Sequence, residues 1–172
     1  MEINRHGLGA DGTGWHQVDD IIYSLEHPSW DRIFHVKDAL KLGLPIQTIH
    51  NHTKIDKWFL TEIQKLVGME QELRRHSLKN LSPDFMLDLK QNGFSDYQIA
   101  HILGNVTAEE VYETRKEMGV KRIYKMVDTC SAEFAAKTPY FYSTFERPAQ
   151  DSNGNEITAS ESIVSNKKKI LV

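Results

Sequence analysis

The sequence holds a single cysteine, Cys130. One thiol builds neither an internal disulfide framework nor a multi-cysteine zinc site, and it suits a reducing compartment. Also missing is any apolar run near the roughly 20 residues needed to span a bilayer. The amino end, Met1-Glu2-Ile3-Asn4-Arg5-His6, lacks the apolar stretch of a signal peptide. These absences set the expectation of a cytoplasmic protein with no membrane contact. There is no excess of positive charge either: 21 Lys and Arg stand against 24 Asp and Glu, for a net charge of -3. Proteins whose main task is gripping phosphate backbones are usually basic, so nucleic acid is disfavoured as a partner. What remains is 40% hydrophobic and 26% charged over 172 residues, the balance and size of an ordinary folded domain.

The chain reads as mainly helical. Residues 1–14 are polar and carry Gly7, Gly9, Gly12 and Gly14, which predicts a loop. Val18, Ile21, Ile22 and Leu25 recur at helical spacing. Pro28-Ser29 breaks that pattern, and Ser29 is placed to cap a second helix with Trp30, Ile33, Phe34, Ala39 and Leu40 inward and Gly43 at its exit. A helical turn is expected after Pro45. Asp56 caps the longest helix, whose apolar side is Phe59, Leu60, Ile63, Leu66, Val67 and Leu73, with Gln64, Lys65, Glu70 and Arg74 opposite. Ser82-Pro83-Asp84, Ser95 and Thr107-Ala108-Glu109-Glu110 open three further helices, stopped by Gly93, Gly104 and Gly119. Beyond Gly119 the character changes. Residues 120–127 and 138–145 read as extended segments with a short helix over 130–136 between them. Residues 146–166 are polar and rich in Ser, Asn and acid. Lys169-Ile170-Leu171-Val172 reads as the opening of a buried strand, which needs a sheet partner.

Several motifs invite chemistry. Gly7-Leu8-Gly9-Ala10-Asp11-Gly12 spells the dinucleotide fingerprint. That mechanism needs a strand before the glycines and a helix end after them, and neither is in the pattern, so a plain loop is the reading. His50-Asn51-His52 pairs two imidazoles without the further ligands a metal centre requires. Cys130 lies between Asp128 and Glu133, an acidic setting that keeps a thiol protonated, so it is expected as a small core residue. Asp128 and Glu133 are expected to cap or to pair with Lys125 or Lys137 rather than to act as an acid–base couple. The alternative function is a helix-turn-helix over residues 94–118. Its recognition helix would meet phosphates with Glu109, Glu110, Glu113 and Glu117, and Arg115 and Lys116 come late. Tyr140, Phe141, Tyr142 and Phe145, at strand spacing, are expected against a core or a neighbouring domain.

Four stretches together resemble one family: Thr53-Lys54-Ile55-Asp56-Lys57-Trp58-Phe59-Leu60, Leu89-Lys90-Gln91-Asn92-Gly93-Phe94-Ser95-Asp96, Tyr124-Lys125-Met126-Val127-Asp128-Thr129-Cys130-Ser131-Ala132-Glu133-Phe134, and Thr138-Pro139-Tyr140-Phe141-Tyr142-Ser143-Thr144-Phe145-Glu146. They are similar to the helical oligomerisation domain between the two ATP-using halves of the carbamoyl-phosphate synthetase large subunit. Lys57 stands where proline is frequent, Ser131 where alanine is, and Phe145 where tyrosine is. The resemblance implies a parent enzyme that makes carbamoyl phosphate from bicarbonate, glutamine-derived ammonia and two ATP, aided by Mg or Mn and by potassium, for arginine and pyrimidine synthesis. It also implies a glutaminase small subunit as the parent's partner, and effector binding in a carboxy-terminal domain. No catalytic, cofactor or metal residue of the ATP-grasp halves maps onto this chain, so a non-catalytic scaffold is expected. Residues 1–14 would end the first half, 15–146 form the helical domain, 147–168 a polar linker, and 169–172 the first strand of the second half. Self-association is expected, with Trp58, Phe59, Tyr140, Phe141, Tyr142 and Phe145 as candidate contacts.

Overall fold

The computed structural model describes residues 7–8, 18–131, 133–135, 140–147, 149–150, 152–154, 156–157, 160–162 and 165–167. Seven helices lead: α1 (Val18–Glu26), α2 (Arg32–Lys41), α3 (Ile46–Thr53), α4 (Lys57–Leu73), α5 (Pro83–Gln91), α6 (Asp96–Leu103) and α7 (Ala108–Glu117), with a 3-10 turn at Leu78–Asn80. Four short strands follow: β1 (Ile123–Met126), β2 (Phe141–Thr144), β3 (Ala149–Gln150) and β4 (Glu156–Ile157). The mainly helical class is therefore as expected. Most of the remaining GxGxxG motif, Thr138-Pro139 and the 169–172 strand lie outside the described residues.

Local chemistry sets the helix ends. The Asp56, Ser82 and Ser95 side chains accept from the amides of Trp58, Phe85 and Gln98. At α7 the Thr107 hydroxyl accepts from the Glu110 amide while the Glu110 carboxylate accepts from the Thr107 amide, a reciprocal capping box. Gly93 and Gly119 adopt positive φ, which lets Phe94 N–H reach the Leu89 carbonyl and Val120 N–H the Arg115 carbonyl. Phe94 and Val120 are thereby turned back into the core. Thr107→Ala should cost about 1 kcal/mol in urea unfolding. The Thr107 amide, and then its hydroxyl, hold the Glu110 carboxyl below its ordinary value. The box therefore contributes fully above the unfolded carboxylate pKa and loses strength as pH falls through the folded one. The wild-type-to-mutant gap should narrow on acidification.

Two apolar clusters form the core. Ile21, Leu25, Val36, Ala39, Leu40, Ile49, Leu60 and Val67 make the first, from α1–α4. Leu73, Leu78, Leu81, Met86, Leu87, Leu89, Phe94, Ile99, Ala100, Ile102, Val111 and Val120 make the second. Helix α4 gives Leu60 and Val67 to one cluster and Leu73 to the other. Between them lies a buried polar bridge: Lys37 Nζ donates to Glu70 Oε1 at 2.6 Å, and Gln98 Nε2 lies 3.4 Å from the same oxygen. Gly7 packs on this bridge, where an added Cβ would come within 2.2 Å of Gln98 Oε1. Its place in the chain is thus explained by close packing.

Four expectations change. Helix α2 starts after Asp31 rather than at Ser29, because the Ser29 hydroxyl is spent on the Asp31 carboxylate. Trp30 is exposed, and Phe34, Val36, Ala39 and Leu40 are the buried apolar residues of this helix region. On α4 the roles of two residues are exchanged: Phe59 is exposed, and Glu70 is buried against Lys37. Residues 129–131 form a turn rather than a helix, because the Asp128 carboxylate accepts the Cys130 amide. Cys130 is half-buried rather than in the core.

Candidate interface

Two aromatic surfaces stand out among the sequence-derived contacts. The first opens α4. Capping by Asp56 fixes the first turn, and the next turn sends Leu60 fully inward. The residues just before it are consequently turned outward. Trp58 and Phe59 are 62% and 57% exposed, with their rings edge to face at 5.0 Å. Such rings bring a large apolar area at low entropic cost when a partner covers them.

The second surface is a ribbon. Strand β1 pairs antiparallel with β2 in the register Ile123↔Thr144, Tyr124↔Ser143, Lys125↔Tyr142 and Met126↔Phe141. Tyr140, Phe141 and Tyr142 are exposed, as are Tyr124 and Met126 on β1 and Val127 just after it. A two-stranded ribbon is marginal in water without cover. Here it is held at its base. Arg147 pairs with Asp84 and with Asp88 of α5, the latter at 3.0 Å, and Lys125 pairs with Glu146 at 3.3 Å. The outer edge of β1 is taken by a later segment: Glu161 N–H donates to the Tyr124 carbonyl, and its carboxylate accepts from Met126 N–H. Residues read as linker thus contribute hydrogen bonds to β1, and β3 pairs with β4 nearby in sequence.

Phe145 behaves differently from the other five candidates. It packs against the second cluster, with Lys90 Nζ and the Arg115 guanidinium 5.2 and 5.4 Å from its ring centre. Beneath it, Asp96 receives both Lys90, at 2.8 Å, and Arg115, at 3.0 Å. Burial pulls the Lys90 ammonium below its ordinary value, although the hydrogen bond to Asp96 opposes this. Sequence reasoning passed over this triad, whose members come from three helices or their ends.

The other motifs are absorbed by packing. His50 Nδ1 bonds the Ile55 carbonyl at 2.7 Å and His52 Nδ1 bonds Glu26 at 2.8 Å. Among the described residues no group of three His, Cys, Asp or Glu side chains is arranged to hold a metal ion. Helices α6 and α7 do pack as a pair, but Glu110 is turned back on Thr107 and Glu113 is paired with Lys116. The exposed face still carries Glu109 and Glu113, which gives DNA reading no support. No helix among the described residues is long and apolar enough to cross a membrane.

The sequence has relatives among known proteins. Residues 1–119 match the family described as carbamoyl-phosphate synthetase large chain, oligomerisation domain. The chain belongs to this family. A carbamoyl phosphate synthase large chain from Archaeoglobus fulgidus is 38% identical over 177 aligned positions, which take in all of this chain. The chain spans 15% of that relative's length. Within a carbamoyl-phosphate synthetase large chain, then, it corresponds to the oligomerisation domain and a stretch beyond it.

Proposed function

We propose that the chain is the non-catalytic scaffold of a carbamoyl-phosphate synthetase large chain, joining two ATP-grasp halves and offering surface for self-association. The observation that carries this is the pair of exposed aromatic surfaces, Trp58 with Phe59 and Tyr140 to Tyr142, built on capped or ion-paired bases. Exposed apolar groups that a fold holds firmly in place suit a partner surface. In this reading residues 1–14 close the first half, 147–168 link onward and 169–172 open the second. The intact enzyme would make carbamoyl phosphate from bicarbonate, glutamine-derived ammonia and two ATP, with Mg or Mn and potassium bound in the halves. A glutaminase small subunit would supply the ammonia, and the product would enter arginine and pyrimidine synthesis in the cytoplasm.

Two measurements test it. Sedimentation velocity should show concentration-dependent association of the chain, weakened at least about tenfold by Trp58→Lys with Phe59→Lys, since aromatic anchors commonly carry more than 1.4 kcal/mol each. Association indifferent to these changes and to Tyr140→Ser with Tyr142→Ser would remove the assigned surfaces. ATP hydrolysis by the chain itself would defeat the non-catalytic reading.

A further inference from the structure

A cavity of about 310 Å³ opens where α7 gives way to β1, lined by Tyr112, Arg115, Lys116, Lys121, Arg122 and Tyr124. Four of its six lining residues are cationic in a chain whose net charge is -3. Local carboxylates neutralise only part of that charge. Asp96 is shared between Lys90 and Arg115, and Glu113 is taken by Lys116, on which Glu109 also acts. Lys121 and Arg122 are exposed and make no ion pair with any described residue. A cleft lined by one sign of charge concentrates its field on whatever enters.

We propose that this cavity binds a diphosphate group. Lys121 and Arg122 supply two cations that pair with no described residue, and Tyr112 and Tyr124 complete the lining. Arg115 is held rigid: its Nε binds Asp96 and its Nη1 the Val120 carbonyl, while Nη2 takes no part in those bonds. Arg115 and Lys116 lie 4.7 and 4.8 Å from the ring centre of Tyr112, so that ring already engages two cations. The lining residues come from a helix, a connecting segment and a strand. That spread suits tetrahedral phosphates better than a planar carboxylate, which takes two donors in one plane. The carboxy end of a helix repels anions. At α7, however, the amides of Met118, Gly119 and Val120 donate to the carbonyls of Thr114, Lys116 and Arg115, and Arg115 and Lys116 stand in the last turn. The volume lies at the lower end of small-ligand sites, which run from roughly 300 to 1,000 Å³.

The site does not depend on the scaffold reading, and its test reads binding alone. Inorganic pyrophosphate titrated calorimetrically into the chain should bind saturably and weaken with added salt. Lys121→Gln with Arg122→Gln should weaken it by about tenfold or more, as expected for lost charge-assisted hydrogen bonds. Its thermal melt should match wild type, since both side chains are exposed. Lys41→Gln with Lys79→Gln, remote surface changes of equal charge, should leave binding intact. ADP distinguishes the source: affinity at or above that of pyrophosphate assigns a nucleotide's diphosphate, and weaker affinity assigns the free ion. Absence of saturable binding, equal loss in the remote pair, or succinate binding as tightly as pyrophosphate would each overturn the proposal.

Discussion

Lys37→Met should destabilise the fold by roughly 3–5 kcal/mol, because it strands a buried carboxylate. Lys37 is 1% exposed and Glu70 4%, and they meet at 2.6 Å. Neither charge has water to fall back on. Placing both there cost desolvation, so the pair itself contributes little net stability, and the loss on breaking it comes from the orphaned partner. The double change Lys37→Met with Glu70→Gln should recover most of the deficit. It removes both charges and leaves an amide that Gln98 can still meet. Urea unfolding followed by far-UV circular dichroism gives both values. A single-mutant loss below about 1 kcal/mol, the scale of an exposed pair, would show that the bridge is open to solvent.

The second large effect is expected at Asp96. Asp96→Ala should cost about 3 kcal/mol, near the lower end for a broken buried pair because the Asp96 side chain keeps some contact with solvent. Two cations lose their carboxylate together, and α6 loses the acid in its first turn. The pH dependence carries the signature. Lys90 already sits below its ordinary value through burial, and the Asp96 hydrogen bond is what restrains the fall. Without it the folded-state value drops further. Between that value and the unfolded one the unfolded chain binds more protons, so stability rises with pH. The gap between Asp96→Ala and wild type should therefore shrink from neutral pH toward the lysine range. A gap constant with pH would mean that Lys90 does not feel the lost carboxylate.

How much of this was legible depends on whether the cause was local. The starts of α4 to α7 follow from side chains within four residues of the groups they satisfy, and α5 to α7 stop at glycines, signals that sequence spacing reports directly. Glu70 misled because its partner, Lys37, lies 33 residues away. Helical periodicity sorts charged residues outward unless a distant opposite charge draws one in. Phe59 misled for the converse reason: apolar character marks what can be buried, and in this chain it lies exposed beside Trp58. The 129–131 turn was missed although Asp128, a residue prone to bind backbone two positions on, was in plain view. The surface aromatics at Trp58 and Tyr140 to Tyr142 could be nominated from composition, but the inward turn of Phe145 rests on Lys90 and Arg115, which no spacing rule connects to it. The cationic cavity left only a faint trace, the Lys121-Arg122 pair just past a helix carrying Arg115 and Lys116.

Helix α4 belongs to both core clusters, and the bridge from Lys37 through Glu70 to Gln98 crosses the same boundary. The helical part of the chain consequently has no seam along which it could be divided. Any cut that freed α1–α3 from α5–α7 would run through a helix whose two ends are buried on different sides. A load applied at one end of the helical part would therefore pass through α4 into the other.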